Sequence, residues 1–394
     1  MSDGVGSGSR LRVGVIGAGT IAVGAHLPAI LRLRDRLELV AVADVRAEAA
    51  KEAAERFGAA HAYTDTRELL DRSDIDAVVI CTPEFLHAGQ TLAAAAAGKH
   101  VLCEKPMAAT VAEADAMLDA CQRAGVRLMI GHSRRFTPRY QRIREAIDRG
   151  DIGEVRLVRE NERRPIAMYT AQAGWAGYWA PDAGGDNARP WLEQAAYSQG
   201  AALTNAVHEM DLIRWFVGAE AVSVYAESRI TDPNAEVPDF ITASIRFANG
   251  ALGATEVVNR LPPGYPVYHL TEVFGRDGLV RALDPAMATL AVTDPTGTTF
   301  PANWGTLLQV PIAYEAQLRG FAAAIAADGP VPLDPFHARQ ALALSLAAVR
   351  SSRESRVVRL DEGEEDAATL AAAVRRGITG GDGTDPDGVG TESQ

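Results

Sequence analysis

Lys105 and His208 are the two side chains of this sequence whose types best suit acid–base chemistry. Lys105 follows the apolar run HVLC, and an ammonium group there can stabilise a substrate oxygen that gains negative charge. His208 lies in a segment with helical spacing, where a neutral imidazole can accept a proton near neutral pH. A single lysine is usually solvated and an isolated histidine is usually structural, so their location must decide.

A glycine-rich turn follows the first strong strand of the sequence. Residues 17–22 read GAGTIA, a G-x-G-x-x-A pattern directly after LRVGVI. The first glycine suits a tight turn, the second lets the backbone approach a pyrophosphate, and Ala22 permits close helix–strand packing. The helix that begins here offers unpaired N–H groups to phosphate. The predicted dinucleotide contacts are Gly17, Gly19, Thr20 and Ile21.

Asp44 ends the second apolar run and indicates which dinucleotide binds. A carboxylate at this position accepts hydrogen bonds from the adenosine ribose and repels a 2′-phosphate, so NAD is favoured. Arg46 is close enough to accommodate the phosphate of NADP, which leaves that cofactor open. Val45 lies between them and is included among the predicted cofactor contacts.

Two further loops are predicted to reach the same edge of the sheet. Thr82, Pro83 and His87 follow the run AVVIC, and Glu104 precedes Lys105 after the next run. Ligands bind outside the carboxyl ends of such strands, so we predict that these residues contact the cofactor and that Lys105 lies near the nicotinamide. For His87, a solvated position at the start of a helix is an equally good interpretation.

The elements that position these residues change in character near residue 150. Residues 11–131 alternate short Val-, Ile- and Leu-rich runs with Ala-rich helical stretches, which predicts a Rossmann domain with a doubly wound parallel sheet. Residues 132–360 contain longer strand-like segments joined by turns, which predicts an α+β domain with a largely antiparallel open sheet. Residues 1–10 are predicted to be a disordered lead-in, and 361–394 an acidic, mostly disordered tail.

Composition excludes several classes of function. The 394 residues carry a net charge of −12, which argues against a nucleic-acid partner because such a partner needs a basic surface. No apolar run approaches the roughly 20 residues that span a bilayer. The three cysteines are sparse and lack metal-ligand spacing, so we predict no metal site, free thiols and a cytoplasmic location.

Taken together, these motifs resemble a known family. The glycine turn, Thr82-Pro83 with His87, Glu104-Lys105-Pro106, the motif GHSRRFTP of residues 131–138, and His208 with Asp211 occur in the order seen in the glucose–fructose oxidoreductase, inositol dehydrogenase and rhizopine-catabolism (Gfo/Idh/MocA) family. The resemblance covers nearly all of residues 11–360.

The resemblance implies NAD(P)-dependent interconversion of a ring hydroxyl and a ketone on a sugar, a cyclitol or a sugar derivative. Lys105 resembles the family's catalytic lysine, followed by a cis peptide bond to Pro106, and His208 resembles its general acid/base. The segment HEMDLIRWF is similar to the corresponding helix of inositol dehydrogenases. The resemblance also implies that the protein forms a homodimer or homotetramer, assembled through the open sheet of the second domain.

One position departs from the family pattern. Many dehydrogenases of the family carry Asp four residues before the histidine, and this chain has Thr204. Threonine can form hydrogen bonds but cannot carry charge, so the departure indicates a different substrate or less dependence on a strong base. Asn205 could add a polar contact. The remaining, weaker candidates for substrate contact are Asp211, Arg135 and Tyr178.

The segment 161–200 lacks clear periodicity but contains Trp175, Trp179 and Trp191. It is predicted to be a lid, an arm that reaches a neighbouring subunit, or a well-packed surface loop. Two alternative functions also remain. One is redox-neutral glycoside cleavage or epimerisation with tightly bound, recycled NAD. The other is a non-catalytic protein that senses a dinucleotide or a sugar.

Overall fold

The fold is described from a computed structural model of the chain. It describes residues 10–165, 194–195, 198–232, 235–261, 268–284, 289–293, 299–303 and 309–362. The predictions for the lead-in, for nearly all of the acidic tail and for Tyr178 and the three tryptophans of the aperiodic segment lie outside the described residues. Among the helices of the described residues, none is long and apolar enough to cross a membrane.

The N-terminal sheet has six parallel strands in the order β3-β2-β1-β4-β5-β6. Helices on both faces bury the strands, and all four residues of β4 are buried. Its strands are β1 Leu11–Ile16, β2 Leu37–Ala43, β3 His61–Tyr63, β4 Ala77–Ile80, β5 His100–Cys103 and β6 Leu128–Ile130. The predicted doubly wound α/β fold is confirmed. The edge strand β3 was not predicted, because its three partly exposed residues form no apolar run.

The helices between these strands are mostly those expected from the Ala-rich stretches. Five residues with π-helical hydrogen bonding, Ala22–His26, follow the glycine turn and lead into the first α-helix. The helices of this region are α1 Leu27–Arg32, α2 Ala47–Phe57, α3 Thr66–Leu70, α4 Glu84–Ala96, α5 Val111–Ala124 and α6 Pro138–Asp148, with a short 3₁₀ helix at Ser133–Phe136.

The second sheet has nine strands in the order β14-β13-β12-β11-β7-β10-β9-β8-β15. Strand β7 pairs with β10 in parallel and with β11 in antiparallel fashion, and the other neighbouring pairs are antiparallel. The prediction of a largely antiparallel sheet is therefore confirmed. Its strands are β7 Val155–Pro165, β8 Ala221–Arg229, β9 Phe240–Phe247, β10 Leu252–Leu261, β11 Tyr268–Gly275, β12 Leu279–Asp284, β13 Thr289–Thr293, β14 Thr299–Asn303 and β15 Val358–Arg359.

Four helices accompany this sheet: α7 Ala201–Thr204, α8 Ala206–Val217, α9 Gln309–Ala326 and α10 Pro335–Glu354. The sequence predicted a helix over residues 205–217, which agrees with α8, whereas the short α7 was not predicted. Asn205 has φ −126° and ψ −53°, which interrupts the helical path and separates α7 from α8. Every residue of α8 except Trp215 is buried, because this helix packs against β7 and β10.

The last two long helices join the second sheet to the first. From α9, Tyr314, Leu318 and Phe321 enter the same buried cluster as residues of β1 and α1. From α10, Ala338 and Leu342 share a cluster with residues of β5 and α5. This packing places α7 and α8 beside the carboxyl edge of the parallel sheet, where the predicted site residues lie.

Candidate active site

The turn after β1 has the geometry that binds a dinucleotide phosphate. Gly17 has φ +93°, and a Cβ there would lie 2.9 Å from the carbonyl carbon of Cys81, so only glycine fits. Its backbone N–H donates to the carbonyl of Ala43 over 2.7 Å. At Gly19 a Cβ would meet no atom within 4 Å, so the backbone borders open space at the start of a helix. These residues fit a pyrophosphate bound at a helix N-terminus.

Asp44 ties this turn to the end of β2. Its carboxylate accepts hydrogen bonds from the backbone N–H of Ala18 at 2.8 Å and of Arg46 at 2.9 Å. The guanidinium of Arg46 pairs with the same carboxylate at 3.1 Å, while Val45 is 65% exposed. Asp44 is therefore held in place at the end of β2, where it could bind an adenosine ribose, and its charge is shared with Arg46, a cation that could otherwise accept a 2′-phosphate.

His87 connects the loop after β4 to the loop after β5. Its Nε2 lies 2.8 Å from the carbonyl of Thr82, and its Nδ1 lies 2.8 Å from the carbonyl of Pro106. The ring is buried, and burial lowers the pKa of His87 although both carbonyls oppose this. Because both nitrogens already face protein carbonyls, we interpret His87 as a residue that positions these loops. Thr82 is tied to the following helix by donating to Gln90 at 2.6 Å, and Pro83 lies at the N-terminus of α4.

Lys105 reaches from the first domain into the second. The Lys105–Pro106 peptide is cis, as the family resemblance implied. The Nζ of Lys105 donates to the carbonyl of Thr204 over 2.7 Å. Burial lowers the pKa of Lys105, and the negative charge of Glu104 opposes this shift.

Glu104 is held by a histidine that sequence reasoning missed. One carboxylate oxygen lies 2.7 Å from Nε2 of His26, and the other accepts the backbone N–H of Lys105 at 3.1 Å. Burial alone would raise the pKa of Glu104, but the hydrogen bond and charge of His26 lower it overall. Glu104 therefore positions Lys105 and supplies it with a negative neighbour.

His208 lies on α8 with its ring against a second histidine. The rings of His208 and His132 are 5.8 Å apart at an interplanar angle of 88°. Burial, together with the positive charges of Arg134 and Lys105, holds the pKa of His208 well below its usual range. Its imidazole is therefore neutral at physiological pH and able to accept a proton.

The other predicted substrate contacts have much of their hydrogen-bonding capacity used inside the protein. Arg135 binds Asp211 through Nε at 2.7 Å and one terminal nitrogen at 2.6 Å. Thr204 donates its hydroxyl to the carbonyl of Gly200 at 3.0 Å. Asn205 donates to the side chain of Asn259 at 2.8 Å. The structure brings these residues to the same region but gives each of them a structural partner.

An ion-pair network lies beneath α8. Arg134 bridges Glu162, at 2.9 Å, and Glu209, the residue that follows His208. Burial would raise the pKa of Glu162, but the charges of Arg134 and Arg164 lower it overall. Burial and repulsion by Glu162 raise the pKa of Glu209 to about 7, against the pull of Arg134.

Three residues in and beside this network are of types that can bind a metal ion and lie close together. Donor atoms of Glu162, Glu209 and His269 lie within 4.8 Å of one another. Two guanidinium groups, however, already pair with these carboxylates, and a divalent cation would add further positive charge beside them. We therefore interpret the cluster as an ion-pair network that supports α8.

Glu84 is another residue that sequence reasoning missed. It lies in the first turn of α4 and is 3% exposed, and its Oε1 has no hydrogen-bond partner among the described residues. Burial raises the pKa of Glu84 to about 8, although the charge of Lys105 and a hydrogen bond with Ser198 oppose the shift. Its place in TPEFLH, and that of His132 and Arg134 in GHSRRFTP, were the available signals.

Comparison with known proteins places this geometry in a family. A family model described as "Oxidoreductase family, NAD-binding Rossmann fold" matches residues 11–132. A second, the "GFO/IDH/MocA C-terminal domain", matches residues 140–281. The chain is also 30% identical to the myo-inositol 2-dehydrogenase of Thermotoga maritima, over 89% of this chain and 99% of that protein. It is 30% identical to the inositol 2-dehydrogenase of Rhizobium meliloti, over 88% and 98%.

Solved structures show the same relationship. Levoglucosan dehydrogenase in complex with NADH and levoglucosan superposes with a TM-score of 0.78 at 27% identity, over 90% of this chain and all of that one. The chain is therefore an NAD-dependent oxidoreductase with a Rossmann domain. It belongs to the Gfo/Idh/MocA family, which the motifs of the sequence indicated.

Proposed function

We propose that this protein oxidises a ring hydroxyl of a cyclitol or sugar to a ketone with NAD, and catalyses the reverse reduction. One observation carries the proposal: Lys105 donates to the carbonyl of Thr204, four residues before His208. A half-buried ammonium and a neutral imidazole from the two domains therefore lie close together at the carboxyl edge of the parallel sheet. Relatives named for inositol and levoglucosan support a polyhydroxylated ring as the substrate.

Each of the two residues has a defined task in this reaction. His208 accepts the hydroxyl proton, which its neutral form can do because its pKa is low. Lys105 donates a hydrogen bond to the same oxygen and stabilises the negative charge that develops on it. The bound dinucleotide supplies the acceptor for the hydride. Gly17 and Asp44 would hold the dinucleotide, through its pyrophosphate and its adenosine ribose.

NAD is the preferred dinucleotide in this proposal because Asp44 is fixed by two backbone N–H groups. Recycling of tightly bound NAD in a redox-neutral reaction is the alternative within the enzyme class, and no feature of the described site favours it. The comparisons with named dehydrogenases disfavour a purely sensing protein. A homodimer or homotetramer and a cytoplasmic location remain predictions.

The test follows absorbance of reduced nicotinamide with purified protein, NAD or NADP, and a panel of cyclitols, aldoses, anhydrosugars and glycosides. We expect one class of polyol to reduce NAD faster than NADP. The Lys105→Met variant is the control for contaminating activity. If both dinucleotides bind but no polyol reduces either, the dehydrogenase proposal is wrong for these classes and redox-neutral chemistry takes its place.

A further inference from the structure

Three ring nitrogens of the two neighbouring histidines, His208 and His132, are buried without a hydrogen-bond partner among the described residues. They are Nδ1 of His208 and both nitrogens of His132. Every neutral imidazole carries one N–H, so at least the His132 ring buries an unpaired donor. An unsatisfied buried donor costs about 1–3 kcal/mol. A native protein that keeps such groups beside a reacting residue calls for an explanation in terms of function.

Asp211 also lies beside His132. Its Oδ2 is 3.6 Å from Nδ1 of His132, just beyond hydrogen-bonding distance. Two hydrogen bonds from Arg135 hold this carboxylate in place. Burial alone would raise the pKa of Asp211, but the charges of Arg135 and His132 lower it overall. His208, His132 and an ionised Asp211 therefore follow one another, with unpaired nitrogens at each junction.

We propose that His132 and Asp211 form a positioning pair that stabilises the protonated form of His208 during hydride transfer. This inference rests on the proposed function. The hydroxyl proton would move to Nε2 of His208, while the hydrogen on the carbon that bears this hydroxyl would leave as a hydride for bound NAD. The Nδ1–H of His208 then donates to Nε2 of His132, and the Nδ1–H of His132 donates to Asp211. His208 gains one proton and becomes an imidazolium. The negative charge of Asp211 stabilises this positive charge through the ring of His132.

The surroundings of His208 explain why such a pair is needed. Burial and the positive charges of Arg134, Lys105 and Arg164 disfavour protonated His208, and His132 does so as well whenever its own ring is protonated. Thr204, four residues before His208, cannot carry a negative charge, and its hydroxyl donates to the carbonyl of Gly200. A carboxylate must therefore act from elsewhere, and Asp211 can do so through the ring of His132.

The charged groups that face His132 fit this role. Asp211 and Glu104 favour its protonated form, while burial, Arg135 and Lys105 disfavour it. The pKa of His132 is lowered overall, so its ring is neutral and can accept from His208. The contact between His132 and Asp211 needs to shorten by less than about 1 Å, and catalytic hydrogen bonds commonly tighten when a substrate binds.

The first experiment uses no substrate. Protein labelled with ¹⁵N-histidine and saturated with NADH is titrated by NMR, and His132→Phe and His208→Phe assign the signals. We expect both rings to be neutral and protonated at Nδ1. We also expect the pKa of His208 to be lower in His132→Phe than in the unmodified protein. A higher pKa of His208 in His132→Phe would mean that His132 acts on His208 only by charge repulsion. A proton on Nε2 of His132 would mean that this nitrogen cannot accept a hydrogen bond from His208. Either result overturns the proposal.

The second experiment measures kcat/KM against pH with whichever polyol reduces NAD. His132→Phe keeps the ring contact but removes both nitrogens, and should lower kcat/KM by roughly 10- to 100-fold. Its acid limb should move to lower pH, because His208 becomes harder to protonate. His132→Gln, which keeps a donor and an acceptor, should recover part of the loss. His61→Phe, on β3 at the edge of the sheet, is the matched control.

The outcomes separate the two proposals. An equal loss in His132→Phe and His132→Gln with an unchanged acid limb would show that His132 only packs against His208, and the inference would be wrong. If no polyol is oxidised, the proposed function fails, but the NMR titration still decides whether His132 and Asp211 stabilise protonated His208. If His132→Phe does not fold, the comparison of His132→Gln with the unmodified protein answers the same question.

Discussion

The cofactor side of the site and the proton-handling side differ in how their polar atoms are paired. Around Gly17 and Asp44, the backbone groups and the carboxylate form hydrogen bonds of 2.7 to 2.9 Å. Around His208, ring and carboxylate atoms are buried without partners among the described residues. On the cofactor side, these hydrogen bonds hold the turn in shape without a ligand. The proton-handling side instead holds titratable groups whose protonation can change during a reaction.

The difference has an energetic counterpart. Backbone N–H groups at a helix N-terminus bind phosphate without burying a net charge of the protein. The other side buries Glu162 and Glu209 beside the half-buried Arg134, and such charges are stable only while they remain paired. Substitutions on the cofactor side should therefore alter dinucleotide choice, and those on the proton-handling side should alter turnover or stability.

Lys105→Met should have the largest effect on turnover. It keeps most of the apolar stem but removes the group that would bind the substrate oxygen, so we expect kcat/KM to fall by roughly 10²- to 10⁴-fold. NADH affinity, measured by fluorescence titration, should change little because Gly17 and Asp44 are untouched. Lys99→Met is the matched control, since Lys99 is also buried and also donates to carbonyls, of Arg72 and Ile75, but away from the site. Activity above a tenth of normal in Lys105→Met would remove this lysine from the mechanism.

Arg134→Met should have the largest effect on stability. Without its guanidinium, Glu162 and Glu209 are left close together and buried, so the free energy of unfolding should drop by about 3–5 kcal/mol at pH 8. The positive charge of Arg134 lowers the pKa of Glu162, and this contribution to stability is present above pH 4.5 and is lost only at lower pH. In the variant the two unpaired carboxylates would instead bind protons at a higher pH than usual, because burial and their mutual repulsion raise their pKa.

Urea unfolding at pH 8 and pH 5 measures this effect. The deficit of Arg134→Met should therefore be smaller at pH 5, where the carboxylates of the variant can take up protons. Arg142→Met, which breaks an exposed pair with Glu145, should change stability by about 0.5 kcal/mol or less. An equal deficit at both pH values would mean that Arg134 stabilises α8 by packing alone.

The two sides also differ in how far the sequence reveals them. Gly17, Gly19 and Asp44 were predicted because a strand, a tight turn and a helix follow one another along the chain. Arg134 and Glu209 lie 75 positions apart, and nothing local indicates that they pair. The prediction of substrate contact at Arg135 overlooked its partner Asp211, 76 positions away. Pairing between positions so far apart in the chain is decided by packing, which a single sequence shows only indirectly.

Asp44→Ser should change cofactor choice by a moderate amount. It removes the carboxylate that repels a 2′-phosphate and releases Arg46 to bind one, so the NAD-to-NADP ratio of kcat/KM should fall by roughly 10- to 100-fold. Parallel assays with both dinucleotides measure this ratio. Glu48→Ser, at an exposed position of α2, should leave it unchanged. An unaltered ratio in Asp44→Ser would show that the carboxylate only braces the turn.

Glu84→Gln should have the smallest effect, and it tests to which side this residue belongs. The pKa of Glu84 is raised from 4.5 to about 8, so between these values the folded protein keeps a proton that the unfolded chain releases. Stability of the unmodified protein should therefore fall as pH rises through this window, by up to about 1.4 kcal/mol per pH unit, while glutamine removes this dependence. Urea unfolding at pH 6 and pH 7 measures the difference, with Glu68→Gln at an exposed position of α3 as control.

A growing advantage of Glu84→Gln between pH 6 and pH 7 would mean that Glu84 is protonated in the folded protein. The carboxyl next to Lys105 would then be a hydrogen-bond donor at neutral pH and would belong with the titratable groups around His208. Parallel curves for the variant and the unmodified protein would mean that Glu84 is ionised at both pH values. It would then act as a fixed negative charge beside Lys105, as Glu104 does. Glu84, at the start of α4, would in that case belong with the groups of fixed charge on the cofactor side and not with the titratable groups around His208.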